Sequence, residues 1–158
     1  MFIRKLIKYI FFLSVTVFIV GAATAYYYGF IPTSIGIHSK IYTKSNIAMD
    51  GYDIVNYYLS RSAVKGTTRY SVKQNEYGWL FNSDRTYKMF KAKPQKYIPQ
   101  FGGYCVYTIS KGYTHPPDPK VWRLYNGRLY FFKDEETKQL ALTDWMRVIE
   151  NAKLHWTE

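Results

Sequence analysis

The chain has one cysteine, Cys105, in the stretch "FGGYCVYTISKGYT", with Tyr104 before it and His115 ten residues after it. A thiol does nucleophilic work only as thiolate, which needs a base or a positive field beside it. Lys111 and His115 are the basic side chains within ten residues downstream. Cys105 and His115 together would offer two soft ligands for copper or zinc. A structural zinc wants four ligands and a catalytic one about three plus water. His38 and His155 lie far along the chain, so the set does not close. The other reading of Cys105 is a small buried side chain under the Gly102-Gly103 bend, since free cysteine is among the most buried residue types.

Asp50 and Asp53 flank Gly51-Tyr52. Two carboxylates can share acid–base work. Three residues apart in a turn, they more readily accept from backbone N–H groups and cap the helix after the turn. Gly102-Gly103 suits a tight bend or an anion nest, and no Gly-Lys-Ser/Thr comes after it to make a phosphate loop. Of Tyr57, Tyr58, Tyr104, Tyr107, Tyr113, Tyr125 and Tyr130, most are expected in the core with the polar end satisfied, and some could line a pocket, since an apolar wall with a few hydroxyls suits small ligands.

These residues need elements to hold them. Asp53 opens a short helix through Tyr58. Thr68–Lys73 and Glu76–Phe81 read as strands around a Gln74-Asn75 turn. Asn82 or Ser83 caps a helix bearing Tyr87 and Phe90, which Pro94 stops. The 94–103 stretch reads as an irregular bend, and 102–112 as a short helix or a strand. The prolines of "HPPDP" predict an extended loop. Trp122, Leu124, Tyr130 and Phe132 alternate around Asn126-Gly127, a hairpin turn. A single amphipathic helix is expected from Asp134 to about Lys153, burying Ala141, Trp145, Val148, Ile149 and Ala152, with Leu140, Leu142 and Met146 widening that face. The class is α+β: short antiparallel hairpins with helices packed over them.

The amino terminus carries Arg4, Lys5 and Lys8, then no charge until Lys40. Residues 1–30 read as a signal peptide, cut after Ala25 in "AATA", or as a retained anchor. Ile10 to Tyr28 can cross a hydrocarbon core of about 30 Å, with Tyr26, Tyr27 and Tyr28 at the interface. Retention is the preferred expectation. Basic residues before the run put the rest of the chain on the extracytoplasmic side, periplasmic in an envelope with two membranes. Residues 31–45 read as a linker and 46–158 as the folded domain. Beyond Ala25 there are 19 Lys+Arg against 11 Asp+Glu, a net +8, with no basic run longer than two. That scatter suits a solubilising surface or anionic lipid and lacks the stripe that nucleic-acid binding needs. A lone cysteine in an oxidising compartment has no internal disulfide partner.

From "AMDGYDIVNYYLS" through "GWLFNSDRTYKMF" and "FGGYCVYTISKGY" to "DPKVWRLYNGRLYFF" and "NAKLHW", the chain resembles the YHS domain family, over roughly residues 46–156. It is most similar to stand-alone exported members. The resemblance implies a small α+β fold. It also implies kinship with cysteine-bearing metal-binding units found in heavy-metal transporters and beside oxygenases. Those relatives carry thiols in the first turn and just after the second strand. Here these places read Asp50-Gly51-Tyr52-Asp53 and Phe81-Asn82-Ser83, with no thiol. The fold is therefore expected to carry over and the metal cage is not. Together these readings predict a membrane-tethered binding or accessory domain. Its site would lie around Tyr104, Cys105 and His115, beside the Asp50–Asp53 turn. It would take a small ligand, bind copper or zinc weakly, or dock on a membrane protein. The alternatives are a single-cysteine thiol reductase or transferase and a structural partner in a membrane complex. No catalytic constellation supports the enzyme.

Overall fold

A computed structural model describes residues 2–36, 38–74 and 76–156. Its amino-terminal helix α1 (Phe2–Tyr27) is long and apolar enough to cross a membrane, and its apolar window is left unburied by the described residues. Apolar side chains on every face have no soluble partner here, which fits a bilayer or a leader.

The rest is α+β, as expected. Strands β2 (Thr43–Lys44), β3 (Ile47–Ala48), β4 (Thr67–Gln74) and β5 (Tyr77–Phe81) form one sheet in the order β2-β3-β5-β4. Its pairings are antiparallel except β3–β5, which meet in parallel at Ile47 and Gly78. The β4–β5 hairpin matches the expected pair of strands; Asn75 of its turn lies outside the described residues. Strands β7 (Asp118–Tyr125) and β8 (Arg128–Phe132) form the second hairpin, with Asn126 and Gly127 at φ 48° and 70°. Positive φ at both positions is what a type I′ turn requires.

Strand β8 divides the interior. Leu129, Tyr130, Phe131 and Phe132 are all buried. Successive strand side chains point to opposite faces. Leu129 and Phe131 therefore join one core with Trp79, Phe81, Phe90 and Tyr57, while Tyr130 and Phe132 join a second with Cys105, Ile109, Trp145 and Ile149. Trp122 pairs with Phe131 and Leu124 with Leu129, so these two side with the first core, across the strand from Tyr130 and Phe132. Helices α2 (Asn56–Leu59) and α3 (Asp84–Ala92) close the first core; α5 (Val106–Ile109), α6 (Glu135–Thr143) and α7 (Trp145–His155) close the second. Between them, α4 (Pro94–Tyr97) adds one regular turn to the 94–103 stretch, and Gln100–Gly103 forms an irregular bend, as expected, with Phe101 and Gly102 at left-handed dihedrals.

Three expectations are corrected. The final helix is two helices. Asp144, at φ −147°, breaks the run and accepts from the Arg147 N–H, capping α7. Leu140 and Met146 face solvent, whereas Ala141, Trp145, Val148, Ile149 and Ala152 are buried as expected. The "HPPDP" stretch already starts a strand: Asp118 pairs with Phe132, and a bulge before Trp122 absorbs Pro119. Finally, residues 31–45 are not a free linker. Strand β1 (Ile31–Pro32) pairs with β6 (Tyr113–Thr114), the Thr33 N–H donates to the Gly112 carbonyl, Ile41 is buried, and the Tyr42 N–H donates to the Gly102 carbonyl.

Candidate functional site

Asp53 is fully buried and structural. Its Oδ1 accepts from the Val55 N–H at 3.0 Å; its Oδ2 accepts from the Asn56 amide at 3.1 Å and from the Asn82 N–H at 2.9 Å. It thus starts α2 and ties it to the end of β5. Asp50 sits at positive φ and accepts from the Lys65 ammonium on both its carbonyl and its carboxylate, with Lys44 at 4.0 Å. Both aspartates serve the turn, and neither carboxylate faces the other's work.

Cys105 has no exposed surface. It sits at the start of α5 beside Phe131 of β8, within the second core. The Cys105 N–H donates to the His115 carbonyl at 3.1 Å, so the two residues meet through their backbones. The His115 ring packs edge-on against Phe30 at 4.9 Å, and its Nδ1 lies 2.7 Å from the Pro116 carbonyl. The thiol is enclosed by core side chains, and the imidazole faces the segment just after α1. That arrangement leaves no shared open position for an ion, and among the described residues no three His, Cys, Asp or Glu cluster.

Tyr104 is nearly buried, ringed by Tyr42, His38 and Trp156 at 5.8–6.2 Å. Burial, with smaller contributions from Tyr77 and Tyr42, pushes its phenol up to about 12. Its neighbour Trp156 lines a half-open groove of about 930 Å³. That volume is in the range of small-molecule sites.

The groove is built by local chemistry. Phe101, Gly102 and Gly103 all adopt positive φ, turning the chain sharply out of the α4 region. A Cβ on Gly102 would overlap the Lys40 carbonyl, so the close passage of residues 40–41 over this bend depends on that glycine, and one on Gly103 would overlap the Met49 side chain packed beneath it. The bend sets Phe101 in the wall, 6.2 Å from Trp156. Tyr77 and Ile98 add apolar surface. The rim carries Lys40, Arg128 and Lys153 against one carboxylate, Glu76. Arg128 donates to the Gln100 amide oxygen at 3.2 Å. None of the three cations is among the ion pairs formed by the described residues. Behind Trp156, the His38 ring packs at 4.8 Å with a buried Nδ1 that has no hydrogen-bond partner among the described residues, and burial lowers its affinity for a proton.

None of the five expected site residues, Tyr104, Cys105, His115, Asp50 and Asp53, lines the groove; Tyr104 meets it only through its ring contact with Trp156. Lys40, Phe101, Arg128, Lys153 and Trp156 were missed. They come from four separate elements and form no motif; the basic residues read only as scattered charge. Comparison with family models, with curated proteins and with solved structures found no match.

Proposed function

We propose that this chain is a YHS-like binding module held at the extracytoplasmic face of a membrane by α1, with the groove beside Trp156 as its ligand site. The observation that carries the reading is the pairing of an apolar helix left uncovered among the described residues with a well-packed domain that has a groove lined by aromatic rings and by cations in no ion pair among those residues. Arg4, Lys5 and Lys8 before the helix favour the outward orientation. The sequence resemblance supports the module and its accessory character. Weak copper or zinc binding by Cys105 and His115 finds no support in their packing, and neither does thiol chemistry, because Cys105 is enclosed.

The test uses the full chain with Cys105→Ala and a new cysteine at exposed Thr143. A membrane-impermeant maleimide should label it in cells whose cytoplasmic membrane is intact. Labelling only after that membrane is lysed would overturn the reading. The mass of the mature protein separates a retained α1 from cleavage after Ala25.

A further inference from the structure

We propose that the groove binds an organic phosphate: a dianionic phosphate group joined to an apolar or aromatic body. The inference rests on reading the chain as a binding module and names the ligand class of that same site. Three cations, Lys40, Arg128 and Lys153, meet one carboxylate, Glu76, at the rim, a net of two positive charges. Lys40, Arg128 and Lys153 are not neutralised by any carboxylate among the described residues. Five other lysines, Lys44, Lys65, Lys88, Lys133 and Lys138, lie beside an acid, and the remaining surface cations, like these three, form no ion pair among the described residues; what sets Lys40, Arg128 and Lys153 apart is that they converge on one concavity. An unpaired cation group over a concave floor is a focused positive field, and a multivalent anion gains most from it. Phosphate oxygens can accept from lysine and arginine at once, through charge-assisted hydrogen bonds. The Phe101 and Trp156 rings supply the surface that a bare inorganic ion would leave uncovered.

Two sources share this chemistry: a lipid head group at the adjoining bilayer and a free solute. His155, next to Trp156, lies against Gly112, whose carbonyl accepts from Thr33.

The experiment uses the full chain in phosphatidylcholine nanodiscs, titrated calorimetrically with naphthyl phosphate and with neutral naphthol. Naphthyl phosphate should bind, and naphthol about tenfold more weakly or less, the factor a lost charge-assisted hydrogen bond carries. Lys40→Ala and Lys153→Ala should each weaken the phosphate by about tenfold on the same ground, and Glu76→Gln should tighten it. All three positions are exposed, and circular dichroism should show the fold unchanged. Repeating the titration in discs that contain phosphatidic acid separates the sources. Competition from the lipid assigns the head group; an unaltered affinity assigns the free solute. Equal binding of phosphate and naphthol, indifferent to the charge variants, would overturn the anion assignment and leave a ligand groove. No binding of either would overturn the groove itself.

Discussion

Asp53 shows how much one buried side chain can organise. Its carboxylate satisfies two backbone N–H groups and one side-chain amide from two different elements, with no exposure to water. Removing it strands those donors in the interior. Asp53→Ala should lower the unfolding free energy by about 3 kcal/mol, as expected for buried donors left without acceptors; the shift in urea midpoint at constant slope measures it. Cys105 teaches the opposite lesson, chemistry withheld by packing. In the native full chain its alkylation should be slower by orders of magnitude than after denaturation, and rapid native labelling would show a thiol open to solvent. The sequence made Asp53's role readable, because an Asp three residues before Asn56 in a turn has an obvious use. It also made the enclosure of Cys105 readable, as one of two readings. It could not reveal Lys153 or Arg128, since charge becomes a site only when separate elements bring it together.

At the scale of elements, what could be read depended on range. The β7–β8 hairpin was legible because Asn126-Gly127 fixes the turn locally. Ser83 was legible as a cap, and it does accept from the Thr86 N–H. The break at Asp144 was hidden by apolar periodicity that runs through both α6 and α7. The role of residues 31–45 was hidden for a different reason. Their partners, Gly102, Gly112 and Thr114, lie some 60–80 residues away, and no local period reports such pairing. A fragment beginning at Asn46 should therefore unfold at least about 3 kcal/mol more easily than one beginning at Phe30, given the lost burial of Ile41 and the broken backbone bonds. Paired chemical denaturation curves of the two fragments check this.

For the whole molecule, the aromatic interior sets the response to base. Burial raises Tyr58 and Tyr104 to about 12 from an ordinary 10.0, and raises Tyr57 further still. A phenol whose folded value is raised stays protonated while the unfolded chain ionises. The stability it confers is complete below the unfolded value of 10.0 and is lost as pH climbs toward 12. The protein should hold its stability up to about pH 10 and then lose it steeply. Tyrosinate absorbance and loss of near-ultraviolet dichroism should rise together over that interval. An unchanged stability up to pH 12 would contradict the enclosure of these rings.

Only Tyr28, Gly29 and Phe30 separate the end of α1 from the β1–β6 clasp. With α1 in a bilayer, this domain cannot sweep through space as a ball on a long chain would. So tethered, it would keep one side toward the lipid. A partner would then have to come to it along the membrane plane or be small enough to diffuse in from the fluid beyond, so that its choice of company would be governed by geography before affinity has a say.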